Sequence, residues 1–317
     1  MKKKLDFSKP LVVLAPLAGY TDLPFRSVVK KFGADLTISE MISSNALVYK
    51  SERTLKMIEK SPTEDPYFVQ IAGNSVDLVK AAVEILNDVE GIDGIDLNCG
   101  CPAPKVFNHG SGSNLLGDLK KLEEILSTIK KYSKKDYTSA KVRLGVNEKI
   151  PVEIGKVVEA CGVDFVSVHG RTRAGKYKAP VDYDAIKQMK EAVSIPVIAN
   201  GDIKDYKKAK EVLQYTNADG VMIGRGAIGK PWVFYQLKHE LEDIDNSIKK
   251  EIILEHYDKM LEFHGDYGAV IFRKLLHAYS KGYTGANEFR DLVNGISDTK
   301  IMRDLIESFF LSIRYAT

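Results

Sequence analysis

Eight short apolar runs recur along this chain, and each stops at, or one residue before, a Gly, Pro or polar residue. They lie at 11–15, 35–39, 67–71, 94–97, 140–144, 164–168, 195–199 and 220–223. Each is short and most are rich in Val and Ile, which suits a strand buried on both faces. Helical spacing fills several of the gaps. Asp22 or Thr21 can cap a helix with Pro24 in its first turn that runs to about Phe32, and Ser75 opens one with Leu78, Ala81, Ala82 and Ile85 on one face. Further helices are predicted over 118–131 and 152–161. Such alternation predicts an α/β fold, a closed parallel (β/α)8 TIM barrel whose strand C-terminal ends build one site. The rival is an open doubly wound sheet, but no GxGxxG follows the first run to hold a dinucleotide there.

Beyond about residue 240 only helical patterns remain, predicted over 249–264, 267–281, 286–294 and 298–313. The polar stretch Asp243 to Ser247 reads as a linker, dividing a barrel of 1–242 from a small all-helical C-terminal domain of 243–317. A length of 317 residues, 44% hydrophobic and 28% charged, accommodates both and fits a soluble globular enzyme. No internal repeat is read beyond the βα period. A net charge of +3 announces no nucleic-acid partner, and residues 246–317 carry ten Lys/Arg against ten Asp/Glu. Distribution says more, because Arg273, His277 and Lys281 share a helix face with Lys274 adjoining, either a solvated strip or an RNA-facing one. Three cysteines make no disulfide framework, which points to a reducing, cytoplasmic setting. The basic Met1 to Lys4 reads as a solvated tail, with no signal peptide or membrane span expected.

The unusual polar residues cluster at strand ends. Asn200-Gly201-Asp202 and Gly224-Arg225-Gly226 follow the seventh and eighth runs, where barrels commonly bind phosphate. Lys141 and His169 end neighbouring strands, where a cation can stabilise a ring made electron-rich by reduction. Gln70 can both donate to and accept from a ring's amide edge. Together these describe a pocket for a phosphorylated ring cofactor.

Cys101 sits in the turn DLNCGCP, residues 96–102. It reads as a metal ligand, an inert buried thiol or a proton donor. Cys99 and a remote Cys161 do not complete a zinc set, so no metal is expected. A Gly/Pro-bounded loop is a poor place to bury a thiol, and an unperturbed thiol, pKa about 8.5, is mostly protonated at neutral pH. The acid role is favoured, although the spacing does not separate it from a nucleophile. Cys99 is expected to be a packing residue of the loop. Lys105, just beyond, is a candidate phosphate contact.

The chain resembles the tRNA-dihydrouridine synthases, closest to the bacterial B-type branch. The resemblance rests on APLAGYTDLPFR (15–26), SEMISSNAL (39–47), VQIAG (69–73), DLNCGCPAPKV (96–106), KVRLG (141–145), VHGRTRAG (168–175), IPVIANGDI (195–203) and MIGRGAIGKPWVF (222–234). It implies FMN in the barrel mouth, lined by Pro16, Leu17 and Ala18 and contacted by Gln70, Lys141 and His169. Asn200, Gly201, Asp202, Gly224 and Arg225 would hold its ribityl chain and phosphate. It also implies Cys101 as proton donor, Asn98 on the target uracil, and Arg143, Arg171 and Arg173 bordering the site. NADPH, or NADH, would supply the electrons and tRNA the uridine, with Arg273 and Lys274 on the RNA and the protein acting as a monomer. Two departures stand out. Leu17 replaces a frequent Met, and Leu275 and Ala278 replace a His and a Trp of the C-terminal motif. The rivals are a barrel reducing a free pyrimidine and an RNA-binding protein that has lost catalysis.

Overall fold

The computed structural model describes residues 5–314; Met1 to Lys4, expected to be a tail, lie outside the described residues. Nine parallel strands run in chain order: β1 Leu11–Leu14, β2 Thr37–Ile38, β3 Ile42–Ser43, β4 Tyr67–Ala72, β5 Gly94–Cys99, β6 Tyr137–Arg143, β7 Phe165–His169, β8 Val197–Asn200 and β9 Gly220–Ile223. They pair in the order β1-β9-β8-β7-β6-β5-β4-β2. A parallel bridge from Val13 to Leu36 returns the sheet from β2 to β1. This closes an eight-stave TIM barrel, as the strand–helix alternation predicted. The second stave is broken: β2 stops at Ile38, and β3 resumes on the same neighbour, β4.

Alternate residues of each strand face inward. At the strand-start end the interior is apolar, with Leu11, Val13, Leu36, Ile38, Phe68, Phe165, Ile198 and Met222 all buried. Phe7, ahead of β1, covers that end, its ring 5.9 Å from Phe165. At the opposite end the inward residues turn polar: Gln70, Asp96, Asn98, Lys141, His169 and Asn200.

The closed end also contains a repeat that the sequence reading missed. The aspartates Asp35, Asp93, Asp164 and Asp219 stand just ahead of every second stave. Each accepts, through its carboxylate, the first free N–H of the preceding stave: Val12 (2.9 Å), Tyr67 (2.9 Å), Thr138 (2.7 Å) and Val197 (2.7 Å). Each also returns its own N–H to the carbonyl of the same residue, at 2.8 Å in all four cases. Two positions earlier stand Gly33, Gly91, Gly162 and Asn217, all at positive φ. The motif is therefore a left-handed residue ending a helix or turn, an apolar residue, then an aspartate that locks two staves together. Four copies divide the barrel into four pairs of staves.

The helices Asn246–His264, Tyr267–Tyr279, Ala286–Gly295 and Thr299–Leu311 form the helical C-terminal region. Their apolar cluster, including Ile252, Tyr257, Phe272, Leu276, Phe289, Met302 and Phe310, extends to Val28, Phe32 and Trp232 of the barrel. Behind the β1 loop lies a buried ion pair, Arg26 Nε to Glu64 Oε1 at 2.8 Å. Arg26 also donates to the Thr21 and Glu59 carbonyls, and Thr37 Oγ1 and the Ser61 N–H donate to Glu64. With its polar atoms met this way, removing either partner of such a pair costs about 3–5 kcal/mol.

Candidate active site

The open end of the barrel holds a cavity of about 750 Å³, within the range of small-molecule sites. Its apolar wall comes from Ala15, Pro16, Leu17 and Ala18 after β1, with Met41 and Met222. The polar wall comes from the ends of β4 to β9: Gln70, Asn98, Lys141, His169, Asn200, Gly201, Asp202, Gly224 and Arg225. Cys101, Arg143 and Tyr177 border it, and Lys230, Ala278 and Lys281 extend its lining onto the helical region. Tyr177 had no place in the sequence reading, and Met41 and Lys281 were not expected in the cavity wall. Tyr177 is an aromatic residue in a polar loop, the one sequence signal that could have found it.

The loop after β5 is pinned from several sides. Asn98 Oδ1 accepts the N–H groups of Gly100 (3.1 Å) and Cys101 (2.9 Å). The Cys101 carbonyl accepts from Ser113 Oγ (2.8 Å) and N–H (3.2 Å). Gly112, at φ +62°, lies so close that a Cβ there would sit 3.1 Å from Cys101 Cβ. The Cys101 residue is partly exposed toward the cavity, whereas Cys99 is the last residue of β5, wholly buried, and burial pushes its thiol well up. Cys99 thus packs in a strand rather than in the loop expected for it, because β5 runs two residues further than the apolar run indicated.

Below this loop a hydrogen-bonded chain crosses three strands. Ser139 Oγ donates to Asp96 Oδ1 (2.6 Å), Gln70 Nε2 donates to Asp96 Oδ2 (2.7 Å), and Asn98 Nδ2 donates to Gln70 Oε1 (2.7 Å). Burial raises the Asp96 carboxyl to about 6, against hydrogen bonds from Ser139 and Gln70 and the charge of Lys141.

Cations dominate the rest of the mouth. Lys141 donates to Asn200 Oδ1 (3.1 Å), and Asn200 Nδ2 donates to the Met222 carbonyl (2.7 Å). Burial, with help from Arg143, brings the Lys141 ammonium down to about 8. His169 is held neutral: burial and then Lys141, Arg143, Arg171 and Arg225 lower its imidazolium to about 2. Arg171 Nη1 lies 3.3 Å from His169 Nε2; a guanidinium can only donate, so Nε2 accepts and the ring proton belongs on Nδ1. Asp202, at φ +48°, takes Arg171 (2.5 Å) and Arg225 (3.0 Å), and these hold its carboxyl below the usual range. One carboxylate between two guanidiniums leaves this corner net positive.

The arginines expected to border the site divide. Arg143 is 2% exposed and donates to the carbonyls of Gly100 (2.7 Å), Thr172 (3.0 Å) and Lys176 (3.0 Å), so it ties the β5 loop to the loop after β7. Arg171 is buried behind Asp202 and His169. Arg173 stacks on the Phe107 ring at 3.7 Å, outside the cavity lining. Lys105 is exposed on the short helix Pro104–Asn108 and also lies outside the lining.

The helical face of Arg273, His277 and Lys281 is not an open strip. Arg273 places Nε and Nη2 on the Ile296 carbonyl (3.2 and 2.7 Å), and His277 Nε2 meets Asn294 Oδ1 at 3.0 Å. Lys274 reaches the barrel, donating to the Gly19 carbonyl (2.6 Å) with its ammonium 5.1 Å from the Tyr20 ring. Among the described residues no group of three His, Cys, Asp or Glu side chains could hold a metal ion, and no helix is long and apolar enough to cross a membrane.

Over residues 13–313 the chain matches the model of the family described as Dihydrouridine synthase (Dus). A probable tRNA-dihydrouridine synthase of Helicobacter pylori is 54% identical over 308 residues, 96% of this chain and 94% of that protein. The tRNA-dihydrouridine synthase B of Vibrio parahaemolyticus is 39% identical over 308 residues, 94% of this chain and 95% of that protein. Among solved structures, a morphinone reductase variant in complex with tetrahydroNAD gives a TM-score of 0.55 at 12% identity, covering 75% of this chain and 90% of that one, a likeness of fold.

Proposed function

As the chain belongs to the dihydrouridine synthase family, we propose that it is an FMN-dependent enzyme reducing the C5–C6 double bond of uridines in tRNA, with NADPH or NADH as reductant and Cys101 as proton donor. One observation carries the reading: a pinned, partly exposed Cys101 borders the same cavity as Gln70, Lys141 and His169.

The residues present fit such a cofactor. An apolar and a polar lining share a cavity large enough for a tricyclic ring, and the net positive corner at Arg171, Asp202 and Arg225 suits a phosphate. Pro16, Leu17 and Ala18 would line the ring, with Gln70, Lys141 and His169 along its edge. Asn200, Gly201, Asp202, Gly224 and Arg225 would hold the ribityl phosphate. When bound and reduced, FMN would supply hydride chemistry toward the pyrimidine.

The chain's own groups do the rest. Lys141, cationic below about pH 8, stabilises negative charge that develops at the ring edge, and Asn200 keeps its ammonium in place. His169, neutral, orients without acting as an acid. The second N–H of Asn98 is free of the Gln70 bond and can reach a uracil oxygen. Cys101 Sγ then gives its proton to the carbon left electron-rich. The base must leave its stack to reach this depth, so the RNA strand has to follow the rim. Arg143 and Arg171 hold that rim's loops, while Lys105, Arg173, Arg273 and Lys274 are the cations we assign to the phosphate backbone.

The test uses purified protein, NADPH and tRNA without oxygen. The reading requires protein that purifies yellow and consumes one NADPH per dihydrouridine formed. Equal turnover of free uridine, or protein without flavin, would replace it with one of the rivals.

A further inference from the structure

The chain beneath Cys101 has a direction, and Asp96 sets it. Asp96 lies in register between Gln70 of β4 and Ser139 of β6, one inward-facing position below Asn98. We propose that Asp96 is a positioning residue whose carboxylate orients the Gln70 and Asn98 amides and thereby holds the Cys101 loop in its working geometry.

An ionised carboxylate only accepts, so Gln70 must turn its NH2 toward Asp96. Gln70 then presents its carbonyl to Asn98, which must answer with its NH2. The Asn98 carbonyl is left facing the Gly100 and Cys101 N–H groups, the orientation that can hold them. Both Asp96 oxygens are occupied, by Gln70 and Ser139, and Asp96, Gln70 and Ser139 are wholly buried. The carboxyl, raised to about 6, is still mostly ionised at pH 7 and above.

An asparagine at 96 removes the constraint while keeping the shape. It can point its NH2 at Gln70; Gln70 then turns over, and Asn98 follows. Asn98 would present donors to the two donors of the loop, and the loop would be released. Severing the chain at its middle with Gln70→Met should release it too.

The catalytic meaning of this relay rests on Cys101 being the proton donor proposed above, so its primary readout needs no turnover. Site-resolved hydrogen exchange of the Gly100 and Cys101 amides is measured in the flavin-loaded protein, with alkylation of Cys101 followed by mass spectrometry. Asp96→Asn should speed exchange of those two amides by up to about ten-fold, the scale of a lost hydrogen bond to the neutral Asn98 carbonyl. Gln70→Met should do the same, and the double variant no more than either alone, because both cut one chain. Amides of β7 should keep their rates, kcat on tRNA should fall, and Cys101 should alkylate several-fold faster. Unchanged exchange at Gly100 and Cys101 in Asp96→Asn would overturn the relay, as would additive effects in the double variant. If Asp96→Asn does not fold, Gln70→Met decides alone. Should the wild type fail to reduce tRNA while exchange follows this pattern, the proposed function falls and the relay stands.

Discussion

A neutral histidine lies in each half of the molecule, and each is kept neutral in its own way. His169, at the barrel mouth, is buried and ringed by Lys141, Arg143, Arg171 and Arg225. His256, where the helical region meets the barrel, sits among Phe25, Phe272 and Tyr279, and burial alone is the main cause that lowers it to about 4. Its Nδ1 meets Tyr279 Oη at 2.8 Å and its Nε2 has no partner. The mouth concentrates cations that an anionic ligand can use. The helical junction spends its polar atoms on holding two regions together.

The comparison can be broken most sharply at the mouth. Cys101→Ala should keep its flavin and its NADPH-driven flavin reduction yet lose at least about 100-fold in uridine reduction, the lower end of general-acid effects. Single-turnover kinetics with tRNA measure it, and wild-type rates would end the proton-donor reading.

Next in size is the pH dependence of stability. Both histidines have native pKa values below the unfolded 6.5, so the unfolded chain takes up the protons first as pH falls. Each should therefore cost about 2 kcal/mol between pH 7 and 5. Asp96, raised to about 6, binds its proton more readily when folded and offsets about 1 kcal/mol of this between pH 7 and 5. Denaturant titrations at the two pH values should show His256→Phe losing one histidine's share of the acid sensitivity, with the rest intact.

Smaller effects belong to the helical face. Arg273→Ala with Lys274→Ala should cost about 1 kcal/mol, since Arg273 braces the Ile296 carbonyl and Lys274 the Gly19 carbonyl. On the proposed function it should also weaken tRNA binding and flatten its salt dependence while FMN stays bound. Unchanged affinity with lowered stability would make both residues braces only. Lys105→Ala, exposed and outside the cavity lining, should change tRNA affinity by no more than about three-fold in a low-salt filter assay.

Much of the barrel was legible because strand-end residues such as Lys141, His169 and Asn200 interrupt apolar runs at the point where the fold needs a site. The fourfold Asp ring was legible in principle, as Gly33-Ala34-Asp35, Gly91-Ile92-Asp93, Gly162-Val163-Asp164 and Asn217-Ala218-Asp219. Single Gly-x-Asp triplets are common, however, and their meaning lies in a backbone pairing that periodicity does not report. Arg273 illustrates the opposite case. Its helical spacing correctly put it beside His277 and Lys281, but spacing does not say which carbonyl waits opposite.

The amino-acid order alone determined the alternation of staves and helices, the polar ends and the turn around Cys101, because these follow from local periodicity and from where Gly and Pro interrupt it. Only the folded chain decided which polar atoms are already taken. Arg143 meets Gly100, Lys274 meets Gly19 and Asp96 meets Gln70 across 43, 255 and 26 positions. Hydrogen bonding acts over about 3 Å, so closure of the barrel and docking of the helices had to bring these partners together first.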